Sequence, residues 1–584
     1  MAPNRKKLFN RHIANIEDEL IDLLGPSVKK LEKFVNDDEN EQLEAEEKEI
    51  HENWMILAEM GPNAIVDNSS DLGLRNIDRN YNWTKDVKQH YPNLNLADVD
   101  TFVWQACNEA NSTKTLDANT IDYQTLNEIQ MKIFKRFEFH YNSIIIDSNT
   151  IPLRVIIMGT AGTGKSYLIN AIQQRLQEIA KRNRIDSSPV IVLAPTGVAA
   201  FNIHGTTIHS ALSLPVNCNN FDINGECLKQ LQKKLNGVKY IIIDEKSMVR
   251  HRMLTLIDMR LRQAFPENQN QPFGSQLVIL VGDFGQLPPV LDKPMYAQDH
   301  CHDLLSNDGI ASYRQFQEVY QLDIVQCQAG DSEEQCRFRN ILLQLRDGDS
   351  TIEDWNMLSI HFKGSPSVLP MDIEQFSNIT CILPLKSEVN EININKLRLL
   401  NNPITRIHAV HTGGIEAFKA DLDVAKGLKS QILLARGARV MLRANLCVEL
   451  GLVNGAIGTV HNILFEKDQG LPSLPVAVFV EFDDYNGSAF VSTAGTCSRL
   501  QIPLNLAWAI TVHKGQGLTL ANAMINLGKK EFASGLSFVA ISRVYTLNNI
   551  LFDPFSFERL QRIKQCKRIQ ERKDEERRLI SMIT

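Results

Sequence analysis

One short stretch limits what this chain can fold into more than any other. Residues 159–166 read Gly-Thr-Ala-Gly-Thr-Gly-Lys-Ser, which fits the pattern G-x-x-x-x-G-K-[ST]. The apolar run 155–158 precedes it and a segment of helical character, 167–179, follows it. A glycine-rich loop in this context turns its backbone N–H groups inward, and the helix adds its positive N-terminal end. The sequence therefore predicts a phosphate-binding loop between a strand and a helix.

The residues of this loop have distinct predicted roles. Lys165 is expected to neutralise phosphate oxygens, and the Ser166 hydroxyl to complete the coordination of a Mg²⁺. The rest of the loop is expected to contact the phosphates: Gly159, Thr160, Ala161, Gly162, Thr163 and Gly164. The loop predicts nucleotide binding but does not say what the nucleotide is used for.

Length and composition narrow the class of protein. A chain of 584 residues is too long for one core and suggests three or four domains. The net charge of −7 argues against a protein that is basic throughout, although a local basic groove would suffice for nucleic acid. The ten cysteines include no C-x-x-C pair, which favours reduced thiols and an intracellular setting. No apolar run approaches the ~18 residues that a membrane span needs.

Two further strands end in residues suited to nucleotide hydrolysis. The apolar run 240–243 ends in Asp244 and Glu245; one acid would hold Mg²⁺ through water and its neighbour would orient or deprotonate the attacking water. Two adjacent carboxylates at the edge of a buried strand are costly without a cation, which disfavours a purely structural role. The run 277–281 leads to Gln286, which would touch the γ-phosphate. Strands alternating with helices predict a parallel, doubly wound α/β sheet.

Other segments of the first half carry weaker signals. Pro195, Thr196 and Gly197 follow an apolar run, and small residues there let a sugar-phosphate chain approach closely. His209 lies among hydroxyl residues suited to phosphate contacts, although both segments could be plain turns. Gln130 lies at the start of the predicted helix 129–141, and its amide could both donate to and accept from an adenine edge; a surface glutamine is an equal alternative.

A second set of α/β signals begins near Phe316. Short strands with Gly and Asn-Gly turns predict a small β-barrel within it. Later, residues 507–519 read as a strand followed by a polar, glycine-bearing loop, and Arg543 ends an apolar segment. An arginine brought from a second lobe to the γ-phosphate would stabilise transition-state charge and couple closure to the nucleotide. A surface arginine is the alternative.

The order of these pieces resembles that of the petite-integration-frequency (Pif-type) DNA helicases of superfamily I, and more closely the helicase portion of Helitron-type transposons. The pieces are Gln130, the phosphate-binding loop, Thr196-Gly197, Asp244-Glu245, Gly282-Asp283 with Gln286, Thr511 with His513-Lys514 and Gln516-Gly517, and Ser542-Arg543. The resemblance runs from about Trp54 to the C-terminus. It implies two RecA-like parallel-sheet P-loop NTPase lobes, with an SH3-like β-barrel insert in the second lobe.

The resemblance also implies an activity and a set of site residues. The activity is ATP- and Mg²⁺-dependent movement 5′ to 3′ on single-stranded DNA, with unwinding of the duplex ahead. Lys165 and Ser166 would act on phosphate and Mg²⁺, Asp244 on Mg²⁺ and Glu245 as the base, with Gln286 and Arg543 at the γ-phosphate. Gly517 would lie at the nucleotide. The residues expected along the DNA are Pro195, Thr196, Gly197, His209, Thr511, His513 and Lys514.

The expected organisation and setting follow from the same resemblance. Three domains are predicted: a helical, acidic region 1–115 whose role the sequence does not indicate, a first motor lobe 116–315, and a second lobe 316–584. The second lobe is expected to contain the insert at about 430–495 and a charged C-terminal helix at 556–584. The expected partners are single-stranded DNA and duplex junctions, with no membrane and a monomeric protein. The expected location is the nucleus, with the mitochondrion as the alternative, and the expected processes are DNA replication, repair, recombination or telomere maintenance.

Several positions depart from the family pattern. Cys327 stands where an arginine that contacts the nucleotide is usual, Lys246 where an apolar or small residue is usual, and Gly515 where serine is usual. Losing one charge-assisted contact to phosphate can cost a few kcal/mol of transition-state stabilisation. The alternative to a helicase is therefore a catalytically weakened, nucleotide-gated DNA-binding protein. A small-molecule kinase would explain neither the late motifs nor the length.

Overall fold

The computed structural model describes residues 75–79, 81–83, 121–147, 150–214, 225–289, 293–297, 304–324, 332–376, 379–411, 429–444, 451–465, 477–483 and 499–583, with a few single residues between these ranges. The acidic stretch of the N-terminal region and Cys327 lie outside them. Within the described residues, no helix combines the length and the apolar character needed to cross a bilayer.

Helices are present throughout the described chain. Their bounds are α1 (Asn76–Arg79), α2 (Glu128–Ile146), α3 (Lys165–Arg182), α4 (Gly197–Asn202), α5 (Ile208–Leu212), α6 (Gly225–Leu235), α7 (His251–Ala264), α8 (Leu304–Tyr313), α9 (Glu333–Asp347), α10 (Ile352–Ser359), α11 (Pro370–Gln375), α12 (Lys386–Leu399), α13 (Val512–Gly515), α14 (Leu536–Ile541), α15 (Phe557–Gln561) and α16 (Lys567–Ile580).

The first lobe is built on a six-stranded parallel sheet with the order β3-β2-β4-β5-β1-β6. Its strands are β1 (Arg154–Gly159), β2 (Val190–Ala194), β3 (Thr206–Thr207), β4 (Tyr240–Ile243), β5 (Leu277–Gly282) and β6 (Glu318–Leu322). Such strands are nearly continuous apolar runs because both faces of the sheet are covered. Along β1, Val155 and Ile157 join the core formed with α2 and α3, whereas Ile156 and Met158 join the core formed with α7. The predicted doubly wound α/β lobe is confirmed.

The second half holds another parallel sheet and an antiparallel one. The strands are β7 (Cys381–Leu383), β8 (Ile404–His408), β9 (Val410–His411), β10 (Gln431–Ala435), β11 (Arg439–Leu442), β12 (Ile457–Leu464), β13 (Ala477–Phe482), β14 (Arg499–Leu500), β15 (Leu504–Leu506), β16 (Ala509–Thr511), β17 (Ala523–Ile525) and β18 (Ile550–Phe552). The parallel sheet has the order β16-β7-β17-β18. The antiparallel sheet, β13-β12-β11-β15, is separate from it and corresponds to the predicted insert.

The structure gives the insert wider bounds than the sequence predicted. β8 pairs with β10, and β15 pairs with β11, so that the antiparallel pairing extends from residue 404 to residue 506 rather than over about 430–495. The indole of Trp83 is buried in the same apolar core, with its ring centroid 5.9 Å from that of Phe465. Part of the predicted N-terminal region therefore packs on the insert.

The boundary predicted between the two lobes also needs correction. β6 pairs with β1 and completes the first sheet, whereas the sequence predicts residues 318–322 to be part of the second lobe. The C-terminal helix α16 lies at the predicted place, but it too belongs to the first lobe: Leu579 is fully buried in that lobe's core, and Ile583 forms a parallel bridge with Val319 of β6. The chain thus leaves the first lobe after β6 and returns to it at its C-terminal end.

Candidate functional site

The phosphate-binding loop connects β1 to α3 through backbone conformations that favour glycine. Gly162 and Gly164 have φ angles of 81° and 76°, in the left-handed region. Gly159 has no space for a side chain, because a Cβ atom there would lie 2.5 Å from the hydroxyl oxygen of Thr163. α3 begins at Lys165, so the N–H groups of its first turn face the loop, as an anion site requires.

Lys165 lies inside the curve of this loop. Its Nζ donates to the carbonyl oxygens of Gly159 at 2.9 Å and Thr160 at 2.7 Å. The Thr163 hydroxyl donates to the same Thr160 carbonyl at 2.9 Å. The ammonium group is thus held where the loop's backbone converges.

Gln130 supports the loop from behind. Its side chain is almost fully buried, and its Oε1 accepts the backbone N–H of Asn127 at 3.1 Å in a capping box at the start of α2. Its Nε2 donates to the Thr163 carbonyl at 3.3 Å. Both ends of the amide therefore already have partners, and the contact with adenine stays a prediction.

The two acidic residues lie directly after β4, beside the loop. Asp244 Oδ1 accepts the Glu245 N–H at 2.8 Å, and Glu245 has a φ of 51°, a conformation that non-glycine residues seldom adopt. Burial raises the pKa of the Asp244 carboxyl, and the nearby Lys165 ammonium partly opposes this. Burial and the Asp244 charge together raise the pKa of Glu245 to about 7. The acidic pair and the loop lysine therefore share one space.

The second lobe contributes polar side chains to this space. Gln516 is buried, and its Nε2 donates to Gln286 Oε1 at 3.0 Å and to Glu245 Oε2 at 3.5 Å. Arg543 follows α14 and is 7% exposed; its guanidinium donates to the carbonyls of Val539 and Leu518. Burial lowers the pKa of Arg543 to about 10, against the attraction of Glu245. Arg543 is thus buried within electrostatic reach of Glu245 and does not lie on a remote surface.

Lys246, one of the departures from the family pattern, is fully buried behind this space. Its Nζ donates to the Gly282 carbonyl and lies 4.2 Å from the centre of the Phe284 ring. Burial lowers the pKa of Lys246 to about 8, and the Asp283 carboxylate opposes this most strongly. Lys246 therefore supports the loop that carries Gln286.

A buried ion network lies on the other side of Lys246. Arg346 donates to Asp283 at 2.6 Å and also pairs with Glu576 of α16. Burial acts to raise the pKa of the Asp283 carboxyl, but Arg346 outweighs it and holds that pKa well below its usual range. Lys246, Asp283, Arg346 and Glu576 border a cavity of about 300 Å³ that reaches the phosphate-binding loop at Gly159.

The residues predicted to contact DNA lie at helix starts near the carboxyl ends of strands. Thr196 is the N-cap of α4, where its hydroxyl accepts the Ala199 N–H at 3.3 Å, and Thr511 is the N-cap of α13. Pro195 and Gly197 flank Thr196 on the β2–α4 connection. Burial lowers the pKa of the His209 imidazole, and Arg250 adds to this. These positions are compatible with a shared nucleic-acid path, which remains a prediction.

The two lobes meet close to these residues. Asn202 of α4 donates to the Gly517 carbonyl at 2.9 Å. Val198 of the first lobe packs closely on Gly455 of the insert: a Cβ atom added at Gly455 would lie 2.5 Å from the Cγ2 methyl group of Val198. Gly517, predicted at the nucleotide, therefore lies on the lobe interface beside α4, and its contact with a nucleotide stays a prediction.

Sequence reasoning missed some residues of this region. Arg346 lies in an amphipathic helix, and the pattern of that helix does not indicate its partner Asp283, 63 positions away. Gln516 was indicated only by the resemblance to the family. Gly515 is buried, and a Cβ atom there would meet only side-chain carbons at 3.8–3.9 Å, those of Ile510 and Arg543. A serine would therefore fit, and the glycine itself has no structural requirement.

Comparison with known proteins relates the first-lobe part of this site to a known family. The family described as PIF1-like helicase matches residues 125–356. The ATP-dependent DNA helicase PIF1 of Homo sapiens is 30% identical over 426 residues, which cover 69% of this chain and 59% of the human protein. Residues 125–356 form a PIF1-like helicase domain.

Bacterial and fungal proteins extend the comparison beyond that domain. The ATP-dependent DNA helicase Pif1 of Campylobacter jejuni is 28% identical over 436 residues, covering 68% of this chain and 88% of that protein. The crystal structure of Pif1 helicase from Candida albicans matches with a TM-score of 0.57 and 22% identity over 78% of this chain and 99% of that one. Bacteroides Pif1 bound to single-stranded DNA matches with a TM-score of 0.51 and 25% identity over 74% of this chain and 93% of that one. The Pif1 fold therefore extends through both lobes, while the chain spans about six-tenths of the human relative.

Proposed function

We propose that this protein is an ATP-dependent DNA helicase that moves 5′ to 3′ along single-stranded DNA and unwinds duplex ahead of it. One observation carries the proposal: the Glu245 carboxylate accepts from Gln516 Nε2 of the second lobe at 3.5 Å, and it interacts electrostatically with both Lys165 of the first lobe and Arg543 of the second. A site shared in this way changes when the lobes move, so hydrolysis and lobe movement are coupled.

The residues of the site fit an ATP molecule with its Mg²⁺. The adjacent buried carboxylates offer hard oxygen ligands that suit Mg²⁺. The backbone N–H groups at the uncapped N-terminus of α3 suit phosphate. Ser166 and Asp244 would hold the ion, which when bound would neutralise charge on the phosphates. Lys165 would exchange its two carbonyl contacts for phosphate oxygens.

Hydrolysis would depend on a base and on a positive charge from the other lobe. Glu245, with its raised pKa, would accept a proton from the attacking water. Arg543 would stabilise the negative charge that develops on the γ-phosphoryl group. Gln286, bonded to Gln516, would pass the state of the nucleotide to the second lobe. Breakdown of ATP would thus loosen the contact between the lobes and shift the bound strand.

Binding of DNA is proposed for the face where α4, α13 and the insert meet. Bacteroides Pif1, which shares the fold, is described as bound to single-stranded DNA. Contacts directed to the backbone would make binding salt-dependent and weakly selective for sequence. The monomeric state stays a prediction, and one fold neighbour is described as two coordinating Pif1 helicases at forked DNA. The nucleus is the proposed place of action, and origin from a Helitron-type element also stays a prediction.

The test measures ATP hydrolysis with and without single-stranded DNA. We expect DNA to stimulate the wild-type protein at least several-fold, and Lys165→Ala and Glu245→Gln to reduce turnover by about 10²-fold or more, as expected for loss of transition-state contacts. Duplexes with a 5′ or a 3′ tail then give the direction. Equal hydrolysis with and without DNA would contradict the proposal.

The weakened-protein alternative depends on Cys327 and can be separated in the same assay. If the missing arginine limits turnover, Cys327→Arg should raise ATP hydrolysis about tenfold or more, the scale of one charge-assisted phosphate contact. A wild-type protein that already turns over briskly would exclude this alternative.

A further inference from the structure

A buried ion pair joins two segments of the second lobe. Arg559 of α15 lies 2.9 Å from Glu531, measured from Nη1 to Oε2, and each side chain is only 3% exposed. The same guanidinium donates to the backbone carbonyls of Leu527, Gly528 and Lys530 at 2.9–3.3 Å. Arg559 therefore fixes the segment between β17 and α14. A buried ion pair adds little to stability on balance, so its presence points to a role in fixing geometry.

Glu531 in turn holds the first turn of α14. Its Oε1 accepts the backbone N–H of Ser537 at 3.0 Å, and its Oε2 accepts the Ser537 hydroxyl at 2.6 Å. The N-cap of α14 is Gly535, which has no side chain to accept an N–H of that turn. The Glu531 carboxylate supplies the missing acceptor, and Ser537 is fully buried. The start of α14 is therefore tied to Arg559 through Glu531.

α14 contacts the first lobe at its start and places Arg543 at its end. Gly535 has a φ of 81°, and a Cβ atom added there would lie 2.4 Å from the Gly285 carbonyl oxygen and 3.2 Å from the carbonyl group of Gln286. Arg543 follows the last turn, and its Nε donates to the Val539 carbonyl at 2.8 Å. The helix is six residues long, about 9 Å, and all its residues are buried, so that its two ends move together.

We propose that Glu531 and Arg559 are positioning residues for ATP hydrolysis: they hold α14 on the Gly285–Gln286 loop so that Arg543 is presented to the γ-phosphate. Both act through α14 and not on the nucleotide itself. The inference rests on the proposed function, in which Gln286 and Arg543 both meet the γ-phosphate. A fixed α14 keeps these contributions of the two lobes in register.

The experiment is a double-mutant cycle on kcat for ATP hydrolysis with saturating oligothymidylate. Arg559→Met removes the charge and keeps an apolar chain; it should lower kcat on the order of tenfold, because Arg543 is then misplaced. KM for ATP should change by less than about twofold, since Lys165 and its loop bind the ground state from the first lobe. In an Arg543→Ala background, Arg559→Met should lower kcat by no more than about twofold further, because the residue it positions is already gone.

A purely structural role would give a different pattern. Damage to the fold would lower kcat by the same factor in both backgrounds, and this result would overturn the inference, as would an unchanged kcat in Arg559→Met alone. Thermal unfolding of each variant sets an assay temperature at which all of them are folded. If Arg559→Met does not fold, the combined change Glu531→Leu with Arg559→Met leaves no unpaired carboxylate and should show the same dependence on Arg543.

Arg337→Ala in α9 is the matched control. It breaks an ion pair with Glu333 in which the side chains are 57% and 80% exposed, and it should alter kcat in neither background. If Arg543→Ala itself leaves kcat unchanged, the proposed function loses its second-lobe arginine and the inference falls with it. If Arg543→Ala is slow and the two changes are additive, the proposed function stands and only the inference is overturned.

Discussion

At the scale of single residues, Glu245 connects the proposed chemistry most directly to a measurable pH dependence. Its pKa of about 7 has burial as the main cause, with the Asp244 charge adding to it and Lys165, Arg543 and Gln516 opposing it. A general base acts in its deprotonated form, so activity should fall as the pH drops below this pKa.

The prediction concerns the free enzyme, and kcat/KM for ATP reports it. We expect kcat/KM to rise tenfold per pH unit below about 7 and to level off above it. Gln516→Ala removes a hydrogen bond that lowers the pKa of Glu245 and should therefore move the midpoint to higher pH. The assay should extend from about pH 5.5 to about pH 8, on either side of ~7. A value of kcat/KM that stays constant over this range would contradict the role of Glu245 as base.

The residues that could be predicted from the sequence are those whose neighbours along the chain define them. The P-loop and Asp244-Glu245 each follow a buried apolar strand, which fixes their place at the edge of the sheet. Arg346, by contrast, meets Asp283 only after α9 packs against the first lobe, and local sequence does not contain that information.

At the scale of elements, α16 shows how a charged helix can be part of a core. Its sequence predicts a charged helix, yet Arg572 is fully buried and donates to Asp347 at 2.7 Å, and Glu575 accepts from the Tyr313 hydroxyl at 2.7 Å. Ion pairs of this kind give no apolar periodicity, so the packing of α16 on the first lobe could not be predicted. The lobe of β6 could not be predicted either, because the sequence of a single edge strand does not indicate which sheet it joins.

The Asp283–Arg346–Glu576 network joins α9 and α16 to the first lobe and should stabilise their packing on it. Arg346→Ala leaves the 2%-exposed Asp283 without its main partner, so we expect it to lower the free energy of unfolding by about 3–5 kcal/mol. Arg577→Ala breaks an exposed pair with Asp574 in the same helix and should change it by less than about 0.5 kcal/mol. Denaturant titration checks both; equal effects would mean that the network does not support the fold.

At the scale of the whole molecule, the two parallel sheets and the insert followed from the sequence, whereas the path of the chain between them did not. The lobes touch through residues that are small or amide-bearing, such as Gly517 and Asn202, and neither type has a periodicity that predicts an interface. Because the two lobes meet around Glu245, the stability of the whole molecule should depend on which nucleotide is bound.

Arg543 should make the molecule distinguish ATP from ADP. Binding to the folded state raises stability by RT ln(1 + [L]/Kd), about 2.7 kcal/mol at a hundredfold excess over Kd. A non-hydrolysable ATP analogue carries the γ-phosphate that would meet Arg543, so it should raise the melting temperature of the wild-type protein more than ADP does at equal saturation with Mg²⁺. Arg543→Ala should lose most of this difference, because only the first-lobe contacts proposed for Gln286 and Lys165 would still meet the γ-phosphate. If the variant kept the full difference, closure of the second lobe onto the nucleotide would have to depend on another group, and Gln516, bonded to both Gln286 and Glu245, would be the next to change.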